Sequence, residues 1–109
     1  NIIRDKIRDP QNNVYLSVIS LWEIIVKYQL GKLPLPASPD VYIPLWRERH
    51  QISSLALDEA CVVRLGVLPP LHRDPFDRML ICQALEHDFT LVTVDSTIRQ
   101  YSVKTLDLS

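Results

Sequence analysis

Glycine is scarce in this sequence, with two in 109 residues, and cysteine is as rare. No internal repeat or low-complexity tract accompanies that scarcity, so the chain does not read as an array or a linker. Cys61 and Cys82 stand far apart with no C-x-x-C, which argues against a zinc site or a disulfide framework and makes a reducing cytoplasm the default. There is no excess of basic charge: twelve Lys and Arg face thirteen Asp and Glu, for a formal charge of −1. Nothing global therefore predicts attraction to nucleic acid or to an acidic membrane, and a polyanionic partner needs a local device such as a bound cation. No apolar run reaches the roughly 18 residues of a membrane span, and no signal peptide opens the chain. The first residue is Asn1 rather than Met, which suggests that the start of a longer protein is missing. What remains is a chain with 47% hydrophobic residues. That is enough for one globular domain over residues 1–109, burying roughly 60 to 70% of its unfolded surface.

Eight prolines punctuate the sequence into segments. "NIIRDKIR" reads as a short helix or the tail of one, ending at Pro10. "VYLS" (14–17) reads as a buried strand, β-branched and aromatic between turn residues. The helix "SLWEIIVKYQLG" follows, with Ser20 as its cap, Glu23 three residues on and Gly31 as its left-handed stop. Ser38 and Pro39 start another helix, bent or delayed at Pro44. "ISSLA" (52–56) predicts a strand, and Asp58 begins a helix that stops before Pro69. From Pro75 to about His87 the spacing of Leu80, Ile81, Ala84 and Leu85 predicts a helix. "TLVTVD" (90–95) predicts a strand covered on both faces, "STIRQY" a short helix or turn, and "VKTLDL" a last strand. The alternation of strand and helix predicts an α/β sandwich around a parallel sheet.

Ligands of open α/β sheets collect at the carboxyl ends of the strands, and three acids fall there. Glu23 is placed in the first turn of a helix, Asp77 in the first turn of the helix feeding "LVTV", and Asp95 directly after that strand. Each has a plain structural reading as well. Glu23 completes S-x-x-E, a capping box with Ser20, and is in reach of Lys27. Asp74 before Pro75 reads as an N-cap, and Asp95 caps the next turn. Asp77 lies on the stripe with residues 80, 81, 84 and 85, so its carboxylate points to the buried side and needs a positive partner: Arg78, Lys27 or a metal shared with Glu23 and Asp95. Three carboxylates together call for a cation, and oxygen-only ligation selects Mg²⁺ or Mn²⁺. On residue types and spacing, capping and metal binding stand level.

Among the other residues, Trp22 reads as core packing, and Trp46 with "RERH" as a basic rim or a solvated helix end. His72, two residues before Asp74, reads as a phosphate contact or as a hydrogen-bond partner of a nearby acid. Cys61 and Cys82 read as buried thiols on apolar helix faces.

"YLSVISLWEIIVKYQLGKL", "HRDPFDRMLICQALEHDFTLVTVDSTIRQY" and the closing "VKTLDL" resemble a PIN domain of the VapC toxin type, the ribonuclease half of bacterial toxin–antitoxin pairs. The resemblance runs over nearly the whole chain. It implies a three-layer α/β sandwich with a central parallel sheet, and an acidic quartet that binds Mg²⁺ or Mn²⁺ and cleaves RNA. The S-x-W-E-I segment puts the helix acid on Glu23, "DPFDR" puts the third acid on Asp77, and T-x-D puts the last on Asp95 with Thr93 beside it. His72, Asp74 and Arg78 belong to the same segment and are expected to support the site. The implied partners are an RNA substrate, a cognate antitoxin and a second copy in a homodimer, in the cytoplasm, with no membrane.

One departure is large. The family opens with a strand ending in "DT", whose Asp is the first ligand, and nothing before Val14 resembles it. Residues 1–9 look like the helix that follows that strand, which leaves a strand order of 3-2-gap-4-5 in the family's numbering and three of the four ligands. The expectation is that this chain alone binds metal weakly and cleaves RNA poorly. The competing reading is a catalytically inactive PIN-like module for binding or dimerisation.

Overall fold

A computed structural model of the chain describes residues 8–93, 101 and 103–107, with the backbone alone at 93, 106 and 107. The chain divides into two compact units, Asn1–Ala56 and Leu57–Ser109. Within the first, strand β1 (Tyr15–Ser17) runs straight into helix α1 (Val18–Gln29). Helix α2 (Pro39–Arg49) and strand β2 (Ser53–Leu55) follow. Within the second come α3 (Glu59–Arg64), a 3₁₀ turn (Leu65–Val67), α4 (Pro75–His87), β3 (Leu91–Thr93) and β4 (Thr105–Asp107).

The strands form two parallel pairs. Tyr15 lies opposite Ser53 in the β1–β2 pair, and Leu91 opposite Thr105 in the β3–β4 pair. These are the pairings on either side of the gap in the expected strand order. Strands β1 and β2 are three residues long, shorter than their sequence segments suggested, and three residues each of β3 and β4 are described. Of the helix expected over residues 1–9, only Arg8, helical, and Asp9, beyond the helix, are described, and the turn expected at "STIRQY" lies outside the described residues apart from Tyr101.

The start of α1 corrects the sequence reading. The N-cap is Ser17, whose hydroxyl accepts a hydrogen bond from the Ile19 N–H at 3.1 Å, and Ser20 is already inside the helix. Starting three residues earlier makes the last strand residue the cap and carries Ile19 into the buried face, 5% exposed. The other end is as expected. Gly31 takes φ +72°, the Lys32 N–H donates to the Lys27 carbonyl at 2.9 Å and the Gly31 N–H to that of Tyr28 at 3.0 Å, the two bonds of a Schellman stop. Helix α2 begins with Ser38 and Pro39 as expected and continues through Pro44, which cannot donate the N–H of its turn. It ends at Arg49, and just beyond its cap Gln51, a non-glycine residue, adopts φ +56° while the Ile52 N–H closes on the Arg47 carbonyl at 2.9 Å.

Trp22 is 58% exposed, not the core residue that its apolar helix suggested. Nor does α4 bury a single stripe: Ile81, Cys82, Gln83 and Ala84 are all buried, so the middle of the helix is enclosed on every side. The core of the second unit gathers Leu68, Ile81, Cys82 and Tyr101, flanked by Leu65, Met79, Leu85, Leu91 and Val103. Both cysteines are free, buried thiols, as expected.

Candidate functional site

In the first unit, Glu23 is the sixth residue of α1, in its second turn rather than its first. With Ser17 as the N-cap, the capping-box reading of Ser20 and Glu23 falls. The Glu23 carboxylate meets the Lys27 ammonium one turn on, at 3.5 Å. That contact is loose and wet, with the lysine side chain 54% exposed. Pairs of this kind contribute about 0.3–0.5 kcal/mol.

In the second unit, "HRDPFDR" is a connected piece of structure. Asp74 caps α4, and its Oδ1 accepts from the Phe76 N–H at 2.8 Å and the Asp77 N–H at 3.2 Å, with Pro75 at the first helical position. Asp74 alone meets the demands of the helix start, and the Asp77 side chain is not consumed by them. The Asp77 Oδ2 instead lies 3.1 Å from the His72 Nε2, its carboxylate 23% exposed. The Asp74 N–H donates to the His72 Nδ1 at 3.1 Å. A ring nitrogen that accepts carries no proton, so the proton of neutral His72 sits on Nε2 and points at Asp77.

The loop that carries His72 is itself pinned. The buried phenol of Tyr101 accepts from the N–H groups of Leu71 (3.0 Å) and His72 (2.9 Å) and donates to the Pro69 carbonyl at 2.7 Å. Arg78 donates to the carbonyls of Pro69 (3.4 Å) and His72 (3.3 Å). Of the cations proposed to face Asp77, Arg78 is therefore directed at the loop carbonyls, and His72 is a group that does face the acid. Of the two readings of His72, the geometry gives the hydrogen bond to a nearby acid. Tyr101 is the residue that sequence reasoning missed, because its role depends on a loop thirty residues away.

Glu23 thus stands in the first unit and Asp77 in the second, while Asp95 lies outside the described residues and Thr93 is described by its backbone alone, opposite Asp107 in the β3–β4 pair.

A second group of donor side chains escaped the sequence reading altogether. Asp58, Cys61 and His87 each place one ligand atom within 4.8 Å of the others. Asp58 is the N-cap of α3, accepting the Cys61 N–H at 2.9 Å. Its carboxyl is held below the usual range, first by hydrogen bonds from the Cys61 thiol and backbone and then by neighbouring His87. Burial, with the hydrogen bond to Asp58, pushes the Cys61 thiol from 9.0 up to about 11. Cys82 is pushed in the same direction by burial. The Asp58 and Cys61 pair shows only as D-x-x-C in the sequence, and His87 joins it through the packing of α3 on α4, which no local spacing announces.

Comparison with known proteins gives the family. Residues 1–104 match the family model of the PIN domain. Over 60 residues, 55% of this chain, the sequence is 40% identical to Ribonuclease VapC16 of Mycobacterium tuberculosis strain H37Rv, and the matched stretch spans 43% of that protein. The parallel strand pairs and interleaved helices are those of an α/β fold built on a parallel sheet, as the sequence predicted, and with nearly the whole length matched, the chain belongs to the PIN domain family.

Proposed function

We propose that the chain is a PIN domain of the VapC toxin type, a metal-dependent endoribonuclease that hydrolyses RNA phosphodiester bonds at Glu23, Asp77 and Asp95. The observation that carries this reading is that neither described acid is needed to start its helix: Ser17 caps α1 and Asp74 caps α4. Of the structural alternative, the capping box of Ser20 and Glu23 falls, while the Glu23–Lys27 pair is present at 3.5 Å. The name of the relative, a ribonuclease, supports the same substrate class.

An all-carboxylate donor set suits Mg²⁺ or Mn²⁺, and Glu23, Asp77 and Asp95 would hold the ion. When bound, such an ion lowers the pKa of a coordinated water and shields the charge of the scissile phosphate. The chain's own residues set the geometry around it. His72 orients the Asp77 carboxylate through Nε2, Asp74 fixes the tautomer of His72 by its N–H, and Arg78 and Tyr101 hold the loop that carries the ring. Thr93 ends β3, two residues before Asp95. A cation at the acids also answers how a protein of charge −1 holds a polyanion.

The proposed partners are RNA, a cognate antitoxin and a second copy of the chain in a homodimer, in the cytoplasm. No helix of the described residues is long and apolar enough to cross a membrane. Cleavage of a fluorescent RNA tests the reading. The expected outcome is slow hydrolysis that EDTA abolishes, added Mn²⁺ restores, and Glu23→Gln removes. Cleavage indifferent to EDTA and to both Glu23→Gln and Asp77→Asn would refute it.

A further inference from the structure

The N-terminal end of α3 and the C-terminal end of α4 meet at Asp58, Cys61 and His87, a group that the RNA chemistry does not use. The plain account makes Asp58 a helix cap that also accepts from the Cys61 backbone. The same carboxylate faces His87: the Nε2 of that ring is shielded from water and lies 3.2 Å from the Asp58 Oδ2, paired with it but without the alignment of a hydrogen bond. The ring is nevertheless held in place, stacked on Phe89 at 5.4 Å between centroids.

The spacing of the donors is that of ligands around one ion. Two nitrogen or oxygen ligands at about 2.0–2.1 Å from a tetrahedral zinc lie about 3.3 Å apart. His87 and Asp58 have that separation. A sulfur ligand at about 2.3 Å would stand about 3.6 Å from each of the others, so closing the 4.8 Å bound takes at most about an ångström of side-chain movement. We propose that Asp58, Cys61 and His87 form a Zn²⁺ site that ties the start of α3 to the end of α4.

One carboxylate, one thiolate and one imidazole make a borderline-soft donor set, selecting zinc over the hard ions that suit the acids Glu23, Asp77 and Asp95. On binding, the Cys61 S–H gives up its proton to solvent as the sulfur–zinc bond forms, and His87 binds through its unprotonated nitrogen. The Asp58 side chain, 48% exposed, leaves the fourth position open to water. Because the two helices belong to the same unit, the ion acts as a clamp on its fold.

Cobalt tests this without any enzymatic assay. Titrated into the full 109-residue chain, Co²⁺ is expected to give a thiolate-to-cobalt charge-transfer absorption that Zn²⁺ quenches, and Zn²⁺ to raise Tm. Cys61→Ala and His87→Gln should abolish the band. Asp58→Asn is the sharper variant, because asparagine caps a helix as well as aspartate does: the fold should persist and the affinity for Co²⁺ fall at least about tenfold. Cys82→Ala and Asp77→Asn should keep the band. No thiolate band in the folded wild-type chain, or a band that survives Cys61→Ala or is unaffected by Asp58→Asn, would overturn the site.

Discussion

Glu23 and Asp77 are held in two very different ways. In the first unit, a glutamate on the wet side of α1 meets a flexible lysine 3.5 Å away. In the second, an aspartate ends a chain of contacts that runs from a buried phenol through the loop at residues 69–72 and a histidine of fixed tautomer to its own carboxylate. The two helices that carry them differ in the same sense: α1 buries Ile19 and leaves Trp22 58% exposed, whereas α4 buries Ile81, Cys82, Gln83 and Ala84. A carboxylate on a rigid, buried frame keeps its geometry for a ligand, and one on an exposed helix face can reorient toward it. In the proposed site Asp77 would bring preorganisation and Glu23 adaptability.

Substitutions sharpen this contrast in order of size. Ile81→Ala, at a fully buried position in the enclosed helix, should cost about 2–5 kcal/mol by chemical denaturation. A cost below about 1 kcal/mol would mean that the second unit is not the rigid one. Tyr101→Phe removes the hydroxyl that serves Pro69, Leu71 and His72, and should cost about 1–3 kcal/mol while shifting the His72 ring resonances in NMR spectra. Unmoved resonances would detach Tyr101 from the acid. Lys27→Ala, in the first unit, should change stability by less than about 1 kcal/mol.

A pH effect also falls in the second unit. Cys61 is pushed from 9.0 up to about 11 and Cys82 is raised as well, so the folded chain keeps protons that the unfolded chain gives up. Stability from these thiols is present below pH 9 and declines as pH rises from about 9 to about 11. Melting curves in metal-free buffer should show that decline, and it should be smaller in Cys61→Ala.

Much of this frame was legible beforehand, because its signals are local. Asp74–Pro75 announces a helix start, Gly31 a stop, and Leu80, Ile81, Ala84 and Leu85 a helix, all through chemistry within one or two turns. The error at α1 came from two serines three residues apart, each a good cap. The β1–β2 pairing, which ends at Ser17 opposite Leu55, decides between them, and that is a non-local fact. Trp22 was misplaced for a related reason: an apolar helix reads as buried on more sides than its neighbours cover. The partner of Asp77 was narrowed to a cation, but His72 could be picked out only once the loop was folded by Tyr101 and Arg78. The Asp58, Cys61 and His87 group was illegible because its members meet through packing of two helices. Glu23 and Asp77 were singled out from their expected positions at strand and helix ends, a rule of the fold rather than of any one contact, and Glu23 lies a turn further into its helix than that rule placed it.

The central claim is that Asp77 is kept for a ligand and not for the helix. Mn²⁺ binding measured by calorimetry on the wild-type chain and on Asp77→Asn, with Tm recorded for both, tests it most directly. The account predicts that affinity falls at least about tenfold, equivalent to about 1.4 kcal/mol, at nearly unchanged Tm. Unchanged Mn²⁺ binding together with a lowered Tm would contradict it and return Asp77 to a purely structural role.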